Sequence, residues 1–238
     1  MASLEVENVS KTLGTNHPAA VLREVSLRIA SGRCLGVRGA TGSGKTTLLR
    51  IIAGLEPPDA GAVRIDGLLV SSPAVQVPPG KRRVGFVFQH LGLWPHLSVD
   101  GHLEYVLAAS PFRGDERVRR KADLLAALHL RGLERRRPAE LSGGEKHLLA
   151  LARALAGDVR ILLLDEPFAG LDGSLKELVL EAVGRIRTGR GLTTLLVSHD
   201  DAELNALCQE VLHLREGRVA GPSARTSSSR GQNGKGKT

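Results

Sequence analysis

One stretch constrains this chain more than any other: Gly39-Ala40-Thr41-Gly42-Ser43-Gly44-Lys45-Thr46-Thr47. It fits G-x-x-x-x-G-K-[ST], a loop whose own backbone N–H groups wrap nucleotide phosphates. Its three glycines let the chain curl tightly and keep side chains clear of an anion. Lys45 then stands to reach the β and γ phosphates, and the Thr46 hydroxyl to hold Mg²⁺. Cys34 to Val37 has the apolar character of a buried strand, and Thr47 to Ala53 is apolar at helical spacing. The phosphates would therefore rest on a helix N-terminus.

Around this loop the pattern changes twice. Leu4 to Val9, Val21 to Ile29 and Ala62 to Ile65 alternate apolar and polar residues, which implies half-buried antiparallel strands. A Lys81-Arg82-Arg83 turn leads into Val84 to Phe88, a continuous apolar strand with Gln89 at its exit. From about His90 to Pro138, prolines punctuate helical patterns such as Leu103, Val106, Leu107 and Val118, Ala122, Leu125, Leu128. This predicts a mostly helical insertion, with the charge clusters Arg117 to Lys121 and Arg135 to Arg137 as solvated faces.

Leu141-Ser142-Gly143-Gly144-Glu145 opens a helix that carries Leu148, Leu151, Ala152 and Leu155 on one side. Ser142 and Glu145 form a capping box. The two glycines of the first turn cost about 0.5–1 kcal/mol each relative to alanine, which points to an anion approaching the backbone there. Ile161 to Leu164 suits a central parallel strand covered on both faces, and Asp165 and Glu166 end it where open α/β sheets bind ligands. Asp165 is placed to hold Mg²⁺ and Glu166 to deprotonate an attacking water. Ala169 to Asp172 forms a turn, and the helix beyond it is expected to bury Leu175, Leu178, Val179, Ala182, Val183 and Ile186. Thr193 to Val197 makes a further strand, which delivers His199 to the same sheet edge as the carboxylates. Val211 to Leu214 and Arg218-Val219 close the fold as a small hairpin around Glu216-Gly217.

Charge and cysteine usage narrow the class. Half of the formal net charge of +8 comes from the last 18 residues, where Arg225, Arg230, Lys235 and Lys237 stand in a Gly/Ser-rich stretch without an acid. Residues 221–238 are thus expected as a disordered tail on a single domain spanning 1–220, and the remaining surface gives no nucleic-acid signal. Cys34 and Cys208, in an apolar strand and an apolar helical stretch, fit core packing in a reducing cytosol better than a disulfide or a metal pair. No apolar run approaches a membrane span, and no export signal opens the chain. Membrane contact is expected through a partner.

Gly39 to Thr46, Gln89, Leu141 to Glu145, Ile161 to Glu166, Ala169 to Asp172 and His199, in this order, resemble the ATP-binding cassette ATPases. The match runs over roughly residues 3 to 220, and Leu-Ser-Gly-Gly is its most specific part. The resemblance implies an α/β P-loop NTPase core with a mainly parallel central sheet, an N-terminal antiparallel β subdomain and a helical insertion. It implies ATP and Mg²⁺ as ligands and a head-to-tail pair of cassettes, formed with a second copy or a sibling subunit. Ser142, Gly143 and Gly144 of one subunit would then close over ATP on the other's phosphate loop. Gln89 would touch Mg²⁺ or the attacking water and report to a membrane permease, His199 would clamp the γ phosphate, and Asp172 would couple the two sites.

The segment His90 to Val99 resembles that of importer ATPases served by a solute-binding protein, which implies a cytoplasmic subunit peripheral on the inner face of the membrane. A soluble cassette ATPase of iron–sulfur cluster assembly is the alternative; the Trp94-Pro95-His96 stretch disfavours it. A chromosome or DNA-repair ATPase would need long coiled coils, and no heptad run of that length occurs. A small-molecule kinase would have no use for Leu-Ser-Gly-Gly. Three residues depart from the family pattern. Leu13 stands where an aromatic stacks on adenine, Glu145 where glutamine is commoner, and Leu148 where arginine is frequent.

Overall fold

The computed structural model describes residues 2–14 and 18–220; the tail expected at 221–238 lies outside the described residues. In chain order, β1 (Leu4–Leu13) and β2 (Ala19–Ile29) form a hairpin, and β3 (Cys34–Arg38) leads through the glycine-rich loop into α1 (Lys45–Ala53). β4 (Ala60–Ile65), β5 (Leu68–Ser71) and β6 (Val84–Val87) follow, then α2 (Val99–Ala108), α3 (Gly114–Ala127) and α4 (Gly143–Ala156). β7 (Ile161–Asp165), α5 (Gly173–Arg190), β8 (Thr193–Val197), α6 (Asp201–Leu207), β9 (Glu210–Arg215) and β10 (Arg218–Ala220) complete the described fold.

The strands make two sheets. β2-β1-β4-β5 is antiparallel, as the alternation predicts, with Leu4, Val6, Val25, Ile29 and Val63 turned inward. The larger sheet runs β10-β9-β3-β8-β7-β6, and every pairing in it is parallel except β10 with β9. β7 and β8 are buried at every position, because helices or the second sheet cover both faces. One apolar core lies between the sheets around α1; the other packs α4 against its helical neighbours on the opposite face.

The register aligns the ends that matter. Val37 lies opposite Val197 and Asp165 opposite Val197 on its other side, so β3, β7 and β8 deliver the phosphate loop, the carboxylates and His199 to one edge.

Several local expectations give way to packing. Leu175 and Leu178 are 39% and 38% exposed, so α5 buries only Val179, Ala182, Val183 and Ile186 of the six predicted. On α3 the inward face is Leu124 and Leu125, continued by Leu128, while Val118 is 64% exposed; its apolar spacing falls on the wrong side of the helix. The α3 charge cluster is not simply solvated. Arg117 and Lys121 pair with Glu104 on α2, and Arg120 donates to the Leu155, Ala156 and Gly157 carbonyls at the end of α4 while lying over the Phe112 ring. The terminal hairpin joins the main sheet, with β9 parallel to β3, and β5 is an added strand. Arg82 of the Lys81-Arg82-Arg83 turn is buried against the C-terminal end of α1.

Candidate nucleotide site

The glycines of the loop answer to different constraints. A Cβ on Gly39 would meet the Leu214 carbonyl oxygen at 2.4 Å, and one on Gly44 the Val21 carbonyl oxygen at 2.6 Å. Gly42 and Gly44 have φ of 81° and 101°, where only glycine is unstrained, and nothing lies within 4 Å of a Cβ on Gly42. Packing thus explains Gly39 and Gly44, whereas Gly42 faces open space. Lys45 folds back on the loop and donates to the carbonyls of Gly39 at 2.7 Å and Ala40 at 2.9 Å.

A cavity of about 280 Å³ collects Thr41, Gly42, Gly44, Lys45, Thr46, Thr47, Gln89, Asp165 and Glu166 on its walls, with Val21 beside them. A second cavity, about 680 Å³, lies across the loop and is lined by Gly39, Ala40, Thr41, Gly42, Ser43 and His199, together with Arg38, His213 and Arg215. The two share Thr41 and Gly42, so the loop is a ridge between them.

Burial pushes the Asp165 carboxyl above its ordinary range. The Glu166 charge adds to this, and the Thr46 hydroxyl and the charges of Lys45 and His90 oppose it. Asp165 Oδ1 is buried without a hydrogen-bond partner among the described residues, as is Ser43 Oγ. An orphaned buried carboxylate oxygen beside a threonine hydroxyl and an exposed Gln89 is an oxygen donor set that fits Mg²⁺. Glu166 has φ 47°, a left-handed conformation that costs a non-glycine residue on the order of 1 kcal/mol or more. Its Oε2 lies 2.9 Å from His199 Nδ1, and the histidine side chain is 76% exposed.

The turn that carries His199 is held by residues the sequence did not single out. Ser198 Oγ donates to Glu203 Oε2 at 2.5 Å and accepts from the Asp200 N–H at 3.0 Å. Lys176 reaches across from α5 to Asp200 at 2.5 Å and Glu203 at 2.6 Å. No motif marks these residues, because Lys176 meets Asp200 and Glu203 only through tertiary packing.

Ser142, Gly143 and Gly144 line neither cavity. Both halves of the capping box are present: Glu145 N–H donates to Ser142 Oγ at 3.2 Å, and Glu145 Oε2 accepts from Ser142 N–H at 2.7 Å. Gly144 is buried, and a Cβ there would meet Leu175 Cδ2 at 3.0 Å, so a larger residue would have to displace that side chain. Gly143 is exposed, with only Leu171 Cδ2 at 4.0 Å, and packing gives no reason for it. Asp172 is the exposed N-cap of α5 and makes no capping bond through its side chain. Arg153 of α4 donates to the carbonyls of Leu91 and Gly92, which ties the segment after Gln89 to that helix.

A glycine-rich loop opening a helix, paired carboxylates at the carboxyl edge of a parallel sheet, and an antiparallel sheet beside them define a nucleotide-binding cassette. A family model described as "ABC transporter" matches residues 22–169, and the chain belongs to that family. It is 39% identical over 222 residues to an iron(III) import ATP-binding protein of Mesorhizobium japonicum, covering 92% of this chain and 60% of the relative. A probable sulfate/thiosulfate import ATP-binding protein of Chlorella vulgaris is 37% identical over 217 residues, covering 91% and 89% respectively. The chain thus spans about three fifths of the length of several curated relatives it matches. Among solved structures, the dimeric bacterial ABC transporter cassette MJ0796 superposes with a TM-score of 0.82 at 30% identity, covering 92% of this chain and 97% of that one. A post-hydrolysis dimer of the same cassette, bound to ADP and Pi, gives a TM-score of 0.79.

Proposed function

We propose that this chain is the ATP-hydrolysing subunit of an ABC transporter. In this reading it closes as a dimer on ATP and drives import through integral membrane permease subunits, at the cytoplasmic face of the cell membrane. A solute-binding protein presents the cargo outside. The observation that carries the chemistry is the single cavity shared by Lys45, Thr46, Gln89, Asp165 and Glu166. The import role is supported by the names of the relatives, which are import ATP-binding proteins. No described helix is long and apolar enough to cross a membrane, which agrees with separate permease subunits.

The loop amides from Gly39 to Thr47 cradle the phosphates, and Lys45 exchanges the Gly39 and Ala40 carbonyls for β and γ oxygens. Asp165, Thr46 and Gln89 are the residues that would hold Mg²⁺, which when bound neutralises charge on the β and γ oxygens. Glu166 takes the proton of the attacking water. His199, oriented by its Nδ1 contact with Glu166, keeps its other ring nitrogen for the γ phosphate. Ser142, Gly143 and Gly144 face a nucleotide held by a second copy or sibling, and Asp172 links the two sites across that junction.

Glu166→Gln keeps the shape and the hydrogen-bonding oxygen but not the base. Turnover is expected to fall at least about 100-fold, within the range for a lost general base, while ATP stays bound and the chain accumulates as a dimer on size exclusion. Native-rate hydrolysis by this variant would remove Glu166 from its role.

A further inference from the structure

The nucleotide site makes no use of the two cysteines, yet the fold brings them together from 174 positions apart. Cys34 starts β3 and Cys208 caps the end of α6, and their sulfurs lie 3.1 Å apart. Both are buried, at 2% and 4% exposure, and neither forms a disulfide. Cys34 is also tied to the residue that follows Cys208: Cys34 N–H donates to the Gln209 side-chain oxygen at 2.7 Å, and Gln209 N–H donates to the Cys34 carbonyl at 3.1 Å. A disulfide has S–S of about 2.05 Å, so closure requires roughly 1 Å of sulfur motion.

The surroundings are unequal. A cavity of about 180 Å³ is lined by Cys34, with Arg28, Arg33, Gln209 and Glu210 among its other walls; Cys208 does not line it. A water molecule occupies about 30 Å³ in the liquid, so the cavity has room for a small peroxide beside Cys34. The contact with the Cys208 thiol pulls the Cys34 pKa down; burial opposes this, and the Arg187 charge reinforces it. The Cys208 pKa is raised, first by the same contact and then by burial. Arg187 Nε is buried without a hydrogen-bond partner among the described residues, and the Arg187 charge acts on both sulfurs in the direction that favours a thiolate.

We propose that Cys34 and Cys208 form a redox-responsive dithiol in which Cys34 is the thiolate that attacks a peroxide admitted by the small cavity and Cys208 is the resolving thiol. The Cys34 thiol gives up its proton and its sulfur attacks one peroxide oxygen; the O–O bond breaks and the departing hydroxide takes up that proton and leaves as water, giving a sulfenic acid. Cys208 then loses its proton and attacks the Cys34 sulfur; the S–S bond forms and the hydroxyl leaves with that proton as a second water. Two thiols are oxidised by two electrons and one peroxide is reduced to two waters.

The test uses the full chain, whose only cysteines are these two. After exposure to hydrogen peroxide and quenching, thiols counted in denaturant are expected to fall from two per chain to none. A Cys34–Cys208 cross-linked peptide should appear in a non-reducing digest, and dithiothreitol should restore both thiols. Cys208→Ser should leave Cys34 trapped by dimedone, whereas Cys34→Ser should leave Cys208 unlabelled, since only Cys34 lines the cavity. Retention of both thiols at a peroxide dose that oxidises free cysteine would overturn the proposal. So would disulfides found only between chains, or dimedone labelling of Cys208 in Cys34→Ser equal to that of Cys34 in Cys208→Ser.

Discussion

Replacing Arg82 by methionine tests how the phosphate-binding helix is anchored. Arg82 is 2% exposed, and no acid pairs with it among the described residues. Burial pushes its pKa down to about 10, which still leaves it charged at neutral pH. It sits where α1 ends, so its charge complements the negative pole of that helix. Its guanidinium donates to Val77 O at 2.7 Å, Val70 O at 2.8 Å, Ile51 O and Ile52 O at 3.0 Å, and Ser71 Oγ at 3.2 Å. Three of these five acceptors keep a partner when the guanidinium is removed. Ile51 O accepts from Gly54 N–H, Val70 O from Val77 N–H, and Ser71 Oγ bonds the Gln76 side chain. Ile52 O and Val77 O take no other donor among the described residues. Two orphaned carbonyls cost about 1–3 kcal/mol each, and release of a buried cation offsets part of this, so a net loss of about 3 kcal/mol is expected. For a domain of this size that is a fall of about 10 °C in the unfolding midpoint, measured by circular dichroism. Arg82→Lys keeps the charge without the fork and should restore only part of the loss. A midpoint within about 2 °C of the parent for Arg82→Met would show that those carbonyls find other donors, and the anchoring argument would fail.

Other consequences can be checked directly. Leu13, 37% exposed at the end of β1, lacks the stacking face that the family places over adenine; Leu13→Tyr should tighten ATP binding about fivefold by fluorescence titration, equivalent to about 1 kcal/mol. No gain would place the base elsewhere. The Lys176–Asp200 pair stabilises the His199 turn over a defined pH window. Lys176 holds the Asp200 carboxyl below its ordinary 3.8, so that contribution is present above pH 3.8 and is lost as pH falls through the lower folded value. Asp200 and Glu203 hold the Lys176 amine above 10.5, so its contribution is full below pH 10.5 and is lost above the raised value. In urea unfolding across pH, Lys176→Met should flatten both edges; an unchanged profile would remove the pair from the account.

The sheet, the phosphate loop and the edge that carries Asp165, Glu166 and His199 were legible because continuous aliphatic runs such as Ile161 to Leu164 allow little besides a covered strand. What stayed hidden was set by contacts distant in sequence. Arg82 looks like any turn arginine until the α1 carbonyls are placed beside it, and Leu175 and Leu178 have core-like spacing but face outward. The same holds for Cys34 and Cys208, whose apolar neighbourhoods are correctly read separately while their meeting is not. Lys176 and Glu203 carry no motif at all, and they position His199 only because α5 and α6 pack together.

The two glycines at the start of α4 differ in their surroundings, and only Gly143 gives a clean test of the dimer. Both glycines at the start of α4 pointed to an approaching anion, but a Cβ on Gly144 would press on Leu175 Cδ2 at 3.0 Å, so packing bears on that position as well. Gly144→Ala would therefore mix a packing defect with any effect on nucleotide closure. Gly143→Ala does not: the added methyl meets only Leu171 Cδ2 at 4.0 Å, an ordinary contact, and the first turn of α4 gains up to about 1 kcal/mol of helix propensity. The isolated chain should be as stable as the parent or slightly more so, and ATP binding to its own phosphate loop should be untouched. If Gly143 closes over a second copy's γ phosphate, the same methyl blocks that approach, and the ATP-bound dimer of a Glu166→Gln background should be lost on size exclusion. A variant that is stable, binds ATP and still dimerises would leave Gly143 without a role in the proposed dimer, and the head-to-tail arrangement would lose its main support in this chain.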